Sequence, residues 1–172
     1  MSQPQAELSR PVRLDRVPSR GLDVDVQASE AERTALAGRF ELLGLPALSA
    51  AVSVKPGMGG VWTVSGRLRA EVVQACVVTL EPVPQSIDEA FEVRFAAGAG
   101  AAAGADDPDA PEPLEGDIID VGAVVADHLS LALDPFPRAP GATFEPAPEP
   151  ADARPNPFAA LEQLKGRLKD RE

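Results

Sequence analysis

The feature that most restricts the fold is a long alternation of apolar and polar residues between positions 62 and 80. The apolar members share one parity: Trp62, Val64, Leu68, Ala70, Val72, Cys76, Val78 and Leu80. Most of the positions between them are polar. A period of two is typical of an antiparallel strand with one buried face. A straight strand of this length would be unusual, so we expect a bend or bulge at Gly66.

Two further segments alternate in the same way. Residues 87–95 place Ile87, Phe91, Val93 and Phe95 opposite charged positions, and residues 21–26 read as a short strand. The proline-containing segment 81–86 is predicted to turn the chain between the two long stretches. Together these stretches predict a β-hairpin.

Helical signals flank this sheet. Ser29 and Glu32 have the spacing of a capping box, and Gly44 with Pro46 is predicted to end the helix that follows. Asp120 is a predicted N-cap for a second helix with an apolar stripe that stops before Pro135. The predicted fold class is α+β: an antiparallel, curved β-sheet packed with two helices, plus a tethered C-terminal helix.

Composition divides the chain into two predicted regions. Residues 1–140 form a single α+β domain, within which a Gly, Ala and acid-rich segment at about 96–116 is expected to be a mobile loop. Residues 141–172 form a Pro-rich acidic linker and an amphipathic helix. In that helix Asn156 is the predicted N-cap and Pro157 the first residue. Its apolar stripe consists of Phe158, Leu161, Leu164 and Leu168. The stripe could pack back on the domain of the same chain or dock in a groove of a partner, and the long linker and the basic last turns favour docking on a partner.

Charge limits the classes of partner. The net charge is -11 and the pI about 4.5, so nucleic acid phosphates and anionic membranes repel the chain as a whole, and basic proteins are the natural partners. No apolar run suits a signal peptide or a membrane span, and a single cysteine cannot form an internal disulfide. These features predict a cytoplasmic protein.

Chemistry-bearing motifs are scarce. Cys76 falls on the apolar face of its predicted strand and is interpreted as a small packed side chain. His128, the sole histidine, is interpreted as a partly exposed helix residue. Neither has an evident catalytic partner, and the sequence has no nucleotide-binding or zinc-binding motif. We therefore predict a non-enzymatic protein without a metal or cofactor, and keep a Cys76- or His128-dependent enzyme as the least favoured alternative.

Basic residues near the N-terminus offer a different alternative. Arg10, Arg13, Arg16 and Arg20 could contact RNA directly. They lack interleaved aromatic residues, so solubility and local pairing are the preferred interpretation.

Three segments together resemble the YceD family of large ribosomal RNA subunit accumulation proteins. These segments are GRLRAEVVQACVVTLEPV, DIIDVGAVVADHLSLALDPFPRAPGA and RPNPFAALEQLK, in that order, in a form similar to alphaproteobacterial members. The resemblance implies a role in accumulation of 23S ribosomal RNA and in large-subunit biogenesis. It implies no catalytic residues. Combined with the acidic net charge, this role leads us to expect contacts with basic ribosomal or assembly proteins, and indirect rather than direct contact with RNA. The candidate partner-binding residues are Asp120, Asp127, Asn156, Pro157, Phe158, Leu161, Leu164 and Lys165.

Two positions depart from the family pattern. Many relatives carry Cys-x-x-Cys in the strand-turn region, whereas Thr79 stands three residues after Cys76 here. The resemblance therefore gives no support to a zinc site. His128 occupies a position where relatives tend to carry Glu, next to the retained Asp127.

Overall fold

A five-stranded mixed sheet, a separate strand pair and two α-helices make up the part of the chain that the computed structural model describes, residues 6–97, 110–114 and 116–144. The strands are Pro11–Arg13 (β1), Leu22–Gln27 (β2), Gly44–Pro56 (β3), Val61–Ala75 (β4), Pro82–Ala97 (β5), Glu112–Leu114 (β6) and Ile118–Asp120 (β7). The helices are Glu30–Arg39 (α1) and Val121–Ala132 (α2).

The large sheet has the order β2-β3-β4-β5-β6, and β1 pairs with β7 apart from it. All neighbours are antiparallel except β5 and β6, which run parallel. The predicted α+β class with a curved sheet is confirmed, and the short parallel strand makes the sheet mixed.

The predicted hairpin is present as β4 and β5, but its turn lies elsewhere. Pairing runs without interruption from Val61 opposite Ala96 to Ala75 opposite Pro82. The turn is therefore made by residues 76–81, and the prolines expected to form it begin β5. The alternation ends with β4 at Ala75, so Cys76 lies beyond the strand.

Gly66 does not mark a bulge. Register is continuous through it on both sides of β4, and the irregularity in β3 falls between Gly44 and Ala47. A Cβ at Gly66 would lie 2.6 Å from the Ala51 carbonyl oxygen and 2.8 Å from the Phe91 ring. The glycine thus makes room for an aromatic side chain on the paired strand.

Helix α1 begins as predicted and ends early. Ser29 and Glu32 form the reciprocal capping box, but the helix stops at Arg39 and Glu41 adopts a left-handed conformation. Gly44 and Pro46, predicted as stop signals, belong to strand β3, which the sequence analysis did not identify.

The core lies between one face of the sheet and the two helices. The even-numbered side chains of β4, including Val64, Leu68 and Val72, pack there with Leu36 of α1 and Leu129 of α2. The alternation in β4 therefore identified the buried face correctly as far as Ala75.

The segment expected to be a mobile loop has strands at both ends. β5 continues to Ala97, and β6 occupies Glu112–Leu114; positions 98–109 and 115 lie outside the described residues. The chain divides into two units, 1–142 and 143–172, and the predicted C-terminal helix falls outside the described part of the second. Within the described ranges, no helix has the length and apolar character needed to cross a membrane.

Candidate partner-binding surface

Asp120 holds the start of α2 in place. Its Oδ1 accepts the N–H groups of Gly122 and Ala123 at 3.0 and 3.3 Å, and that of Arg10 at 2.6 Å. Its Oδ2 accepts the Ser9 hydroxyl at 2.6 Å. The predicted N-cap is confirmed, and both carboxylate oxygens are occupied within the chain. Asp120 therefore positions the helix, and a role in binding a partner stays a prediction.

The N-terminal segment approaches α2 closely. A Cβ at Gly122 would lie 2.8 Å from the Leu8 carbonyl oxygen and 2.9 Å from the Arg10 nitrogen. The N–H of Val121 donates to the Arg10 carbonyl at 3.1 Å. Only a residue without a side chain allows this contact, which fixes where α2 lies over the sheet.

Asp127 and His128 lie about two turns further along α2, at the surface. Asp127 is exposed, and one of its oxygens is 3.8 Å from an Arg39 nitrogen. The His128 ring stacks on Phe91, with centroids 4.6 Å apart and planes at 19°. His128 is half-buried, as its interpretation as a helix residue predicts.

A groove of about 480 Å³ runs between α2 and the end of β5, and we call it the α2–β5 groove. Helix α2 contributes Val124, Asp127, His128 and Leu131, strand β5 contributes residues 92–95, and Ala110 and Glu112 complete the lining. A smaller hollow of about 190 Å³ continues it on the far side of His128 and Leu131. This volume is in the range of sites that bind ligands or side chains of a partner.

The lining combines apolar walls with acidic groups. Val93 and Phe95 are partly buried against the core, while Leu131 is 78% exposed. Glu112 and Asp127 are acidic members of the lining, and Glu92 belongs to it as a β5 residue whose side chain alternates with those of Val93 and Phe95. The groove thus combines polar and apolar surface, and one of the predicted partner-binding residues, Asp127, is part of its lining.

Cys76 has a structural position different from the predicted one. It is fully buried, as expected, but in the turn after β4 and under the segment 134–142. Its Sγ accepts the N–H groups of Ala139 at 3.3 Å and of Val78 and Thr79 at 3.4 Å. The N–H of Ala139, followed by the contacts of Thr79 and Val78, lowers the pKa of the Cys76 thiol to about 6.

The contacts of Cys76 tie two segments together. The N–H of Val77 also donates to the Pro137 carbonyl at 2.9 Å, and the Gln74 side chain donates to the Asp134 carbonyl at 2.9 Å. The Cys76 sulfur therefore acts as a hydrogen-bond acceptor that holds the segment after α2 against the turn after β4. Its burial leaves no surface for a substrate to approach.

Exposed apolar side chains stand on these two joined segments. Leu80, at a left-handed φ of 63°, is 75% exposed, and Phe136 is 70% exposed. Single exposed apolar side chains are ordinary on protein surfaces, and a contiguous apolar patch is what marks a protein contact.

The N-terminal arginines divide into two pairs. Arg10 binds both oxygens of Glu32, at 2.7 and 3.1 Å, and Arg13 donates to Asp15 and lies 3.7 Å from Asp117. Arg16 and Arg20 make no ion pair with another residue in the described ranges.

The remaining candidates cannot be placed. Asn156, Pro157, Phe158, Leu161, Leu164 and Lys165 lie outside the described residues. Among residues that are described, no group of three His, Cys, Asp or Glu side chains has the arrangement to hold a metal ion.

The sequence analysis missed Leu131 and the β5 side of the groove. A signal was available, because Val124, Asp127, His128 and Leu131 follow the i, i+3, i+4, i+7 spacing of a second face of α2. The β5 residues carry no such signal, since their position beside α2 depends on the packing of the helix over the sheet.

Fold and surface together define an α+β protein with a groove between helix α2 and strand β5. The chain belongs to the YceD family, described as large ribosomal RNA subunit accumulation protein, whose model matches residues 64–165. That range includes β5, α2 and all of β4 after its first three residues. The family description implies involvement in the accumulation of large-subunit ribosomal RNA. Comparisons with curated proteins and with solved structures found no match.

Proposed function

We propose that this protein is a non-enzymatic, cytoplasmic factor that supports accumulation of 23S ribosomal RNA and large-subunit biogenesis through contacts with proteins. Family membership supports a role in the accumulation of large-subunit ribosomal RNA. The preference for a protein over RNA as the contacted partner is supported by two N-terminal arginines. The guanidinium groups of Arg10 and Arg13 are already bound to carboxylates of the same chain. An RNA phosphate would have to displace those partners against a net charge of -11.

Direct RNA binding stays the second candidate, because Arg16 and Arg20 have no such partners in the described ranges. It predicts that affinity for RNA falls steeply with salt and depends on these two side chains. An enzyme built on Cys76 has less support, since the sulfur is enclosed by the turn and by the segment that carries Ala139.

The experiment is affinity purification of the tagged chain from cells, with and without ribonuclease, followed by mass spectrometry and by ultraviolet crosslinking to RNA. We expect basic large-subunit or assembly proteins to co-purify after ribonuclease treatment, and 23S fragments to be absent from the crosslinked fraction. Charge reversal at Arg16 and Arg20 should leave this association unchanged. Loss of the partners with ribonuclease, together with crosslinks that disappear in that variant, would establish the RNA alternative.

A further inference from the structure

We infer that the open edge of strand β2 binds an extended, basic segment of a partner protein, which joins the sheet as a further antiparallel strand. This inference rests on the proposed function and deepens it by naming the surface and the chemistry of the partner. β2 is the terminal strand of the large sheet and, among the described strands, pairs with β3 alone. Addition of a strand to an exposed sheet edge is a known mode of peptide recognition, in which main-chain hydrogen bonds supply the affinity.

The register of β2 with β3 shows which main-chain groups face the open edge. Gln27 lies opposite Ser49, so the next position along the chain, Ala28, lies opposite Leu48. The N–H of Ala28 donates to the Leu48 carbonyl at 3.1 Å. In an antiparallel pair, hydrogen-bonded positions of this kind alternate with positions whose main-chain groups point away from the partner strand. The even-numbered residues of β2 therefore bond to β3, and the odd-numbered residues face outward.

The outward-facing positions of β2 are Asp23, Asp25 and Gln27. The Gln27 carbonyl accepts the Arg10 guanidinium at 3.0 Å, as its outward direction requires. Within residues 6–97, 110–114 and 116–144, the main-chain groups of Asp23 and Asp25 have no hydrogen-bond partner. Unpaired groups in a row along an edge strand are a template for another strand. Antiparallel pairing is the more stable arrangement per residue and repeats the pairing on the other side of β2.

Charge selects the residues of the added strand that face away from the core. Asp23 and Asp25 are exposed on that face, opposite the short side chains of Ser53 and Ala51. Lys55 lies on the same face of β3, yet neither aspartate forms an ion pair with a described residue. Lysine or arginine opposite the two aspartates would form cross-strand pairs, whereas RNA or an acidic segment would be repelled.

Apolar residues are favoured on the other face of the added strand. Leu22 and Val24 pack against the core but are only half-buried. An added strand directs alternate side chains to this face, where apolar ones beside Leu22 and Val24 remove further apolar surface from water. The segment that fits is therefore extended, with basic residues at one set of alternate positions and apolar residues at the other.

A second copy of this chain fits the edge less well. Antiparallel pairing of two β2 strands centred on Val24 would place Asp23 opposite Asp25. Pairing centred on Asp25 would place that residue opposite its own copy. Like charges directly opposite each other destabilise a sheet, so the aspartates disfavour self-pairing and favour a basic partner.

The probe is a fluorescein-labelled synthetic peptide of about ten residues, in which lysine and valine alternate. Its binding to the full chain is measured by fluorescence anisotropy, and the contacted residues are mapped from amide chemical shifts. Lysines opposite Asp23 and Asp25 direct their main-chain N–H groups at β2, whereas the valine N–H groups point away. Methylation of the lysine main-chain nitrogens should therefore abolish binding, and methylation of the valine main-chain nitrogens should preserve it. Both methylated peptides keep the same charge.

Two charge reversals give matched variants of the chain. Asp25→Lys changes the edge, and Glu41→Lys makes the same change in charge at an exposed residue that has no ion pair in the described ranges. We expect Asp25→Lys to weaken peptide binding by about tenfold or more and Glu41→Lys to change it by less than about twofold. Asp25→Asn, which keeps the shape of the side chain, should weaken binding by a smaller factor. Thermal unfolding checks that each variant retains the fold.

Several results would overturn the inference: equal losses on methylation of either set of nitrogens, equal losses in the two charge-reversal variants, or no binding. The aspartates would then only protect the edge from self-association. In cells, a normal 23S level with Asp23→Lys and Asp25→Lys combined, when deletion of the whole chain lowers it, would refute binding at the edge and leave the proposed function standing. A normal level after deletion would refute the proposed function instead.

Discussion

Arg10 binds Glu32 through two parallel hydrogen bonds, and so joins the N-terminal segment to the capping box of α1. The main chain of the same arginine bonds to Asp120 and Val121 at the start of α2. One residue thus connects the first turns of both helices. Because α2 carries the α2–β5 groove, the position of the groove depends on this connection.

We expect Arg10→Ala and Glu32→Ala each to destabilise the fold, with a coupling free energy between them of about 1 kcal/mol, since the pair is bidentate and partly shielded. A double-mutant cycle of urea unfolding measures it. The matched control is Arg13 with Asp15, an exposed pair that should show no measurable coupling. Equal coupling in both cycles would mean that Arg10 has no special role.

A lower pH should weaken the ion pair between Arg10 and Glu32. The Arg10 guanidinium, with the Ser29 N–H as a smaller contributor, lowers the pKa of the Glu32 carboxyl from its usual value of 4.5 to about 2. A lowered folded-state pKa stabilises the protein above the unfolded pKa, and that contribution is lost as the pH falls from about 4.5 toward 2. Solvent screening limits the contribution to roughly 1 kcal/mol. Urea unfolding at pH 3 and pH 7 measures the difference in free energy of unfolding between wild type and Glu32→Gln. We expect this difference to be smaller at pH 3 than at pH 7; an equal difference at both pH values would contradict this account.

Two helical glycines should respond in opposite directions to alanine. A Cβ at Gly38 in α1 meets nothing within 4 Å, whereas one at Gly122 meets the Leu8 and Arg10 main chain. Gly38→Ala should stabilise by about 0.5–1 kcal/mol through helix propensity. Gly122→Ala should destabilise the fold despite the same gain in helix propensity, because the main chain of Leu8 and Arg10 would have to move. A stabilising Gly122→Ala, measured by thermal unfolding, would show that the N-terminal segment does not press on α2.

Cys76 should behave as a buried hydrogen-bond acceptor. Cys76→Ser keeps an acceptor near Ala139, so we expect it to retain a higher melting temperature than Cys76→Val, which removes it. The wild-type thiol should react with a disulfide reagent at pH 8 only slowly in the native state and quickly in urea. Fast native labelling would mean that the segment 134–142 does not cover the sulfur as the structure shows.

Local signals in the sequence predicted the elements that depend on them. The alternation around Leu68 identified the buried face of β4, and Ser29 and Asp120 marked both helix starts, because periodicity and caps act over a few residues. The hairpin turn was misplaced because prolines read as turn signals are also tolerated at the start of a strand, as in β5. Strand β3 was missed, since Pro46 suggested a stop rather than a bulged strand.

The candidate surface depends on contacts distant in sequence. Asp127 was identified from the resemblance, but Val93 and Phe95, which line the same groove, come from β5, more than thirty positions away. The role of Asp120 as an anchor for Ser9 and Arg10 likewise spans over a hundred residues. Such pairings follow from packing of the whole sheet, which no local pattern encodes.

The central claim is that the chain supports large-subunit RNA levels without chemistry of its own, and the ratio of 23S to 16S RNA tests it most directly. The ratio is measured in cells that lack the chain, and in the same cells expressing wild type or Cys76→Ser at equal protein levels. We predict that the ratio falls on deletion and is restored by both proteins. An unchanged ratio on deletion, or a folded Cys76→Ser protein that fails to restore it, would contradict the claim.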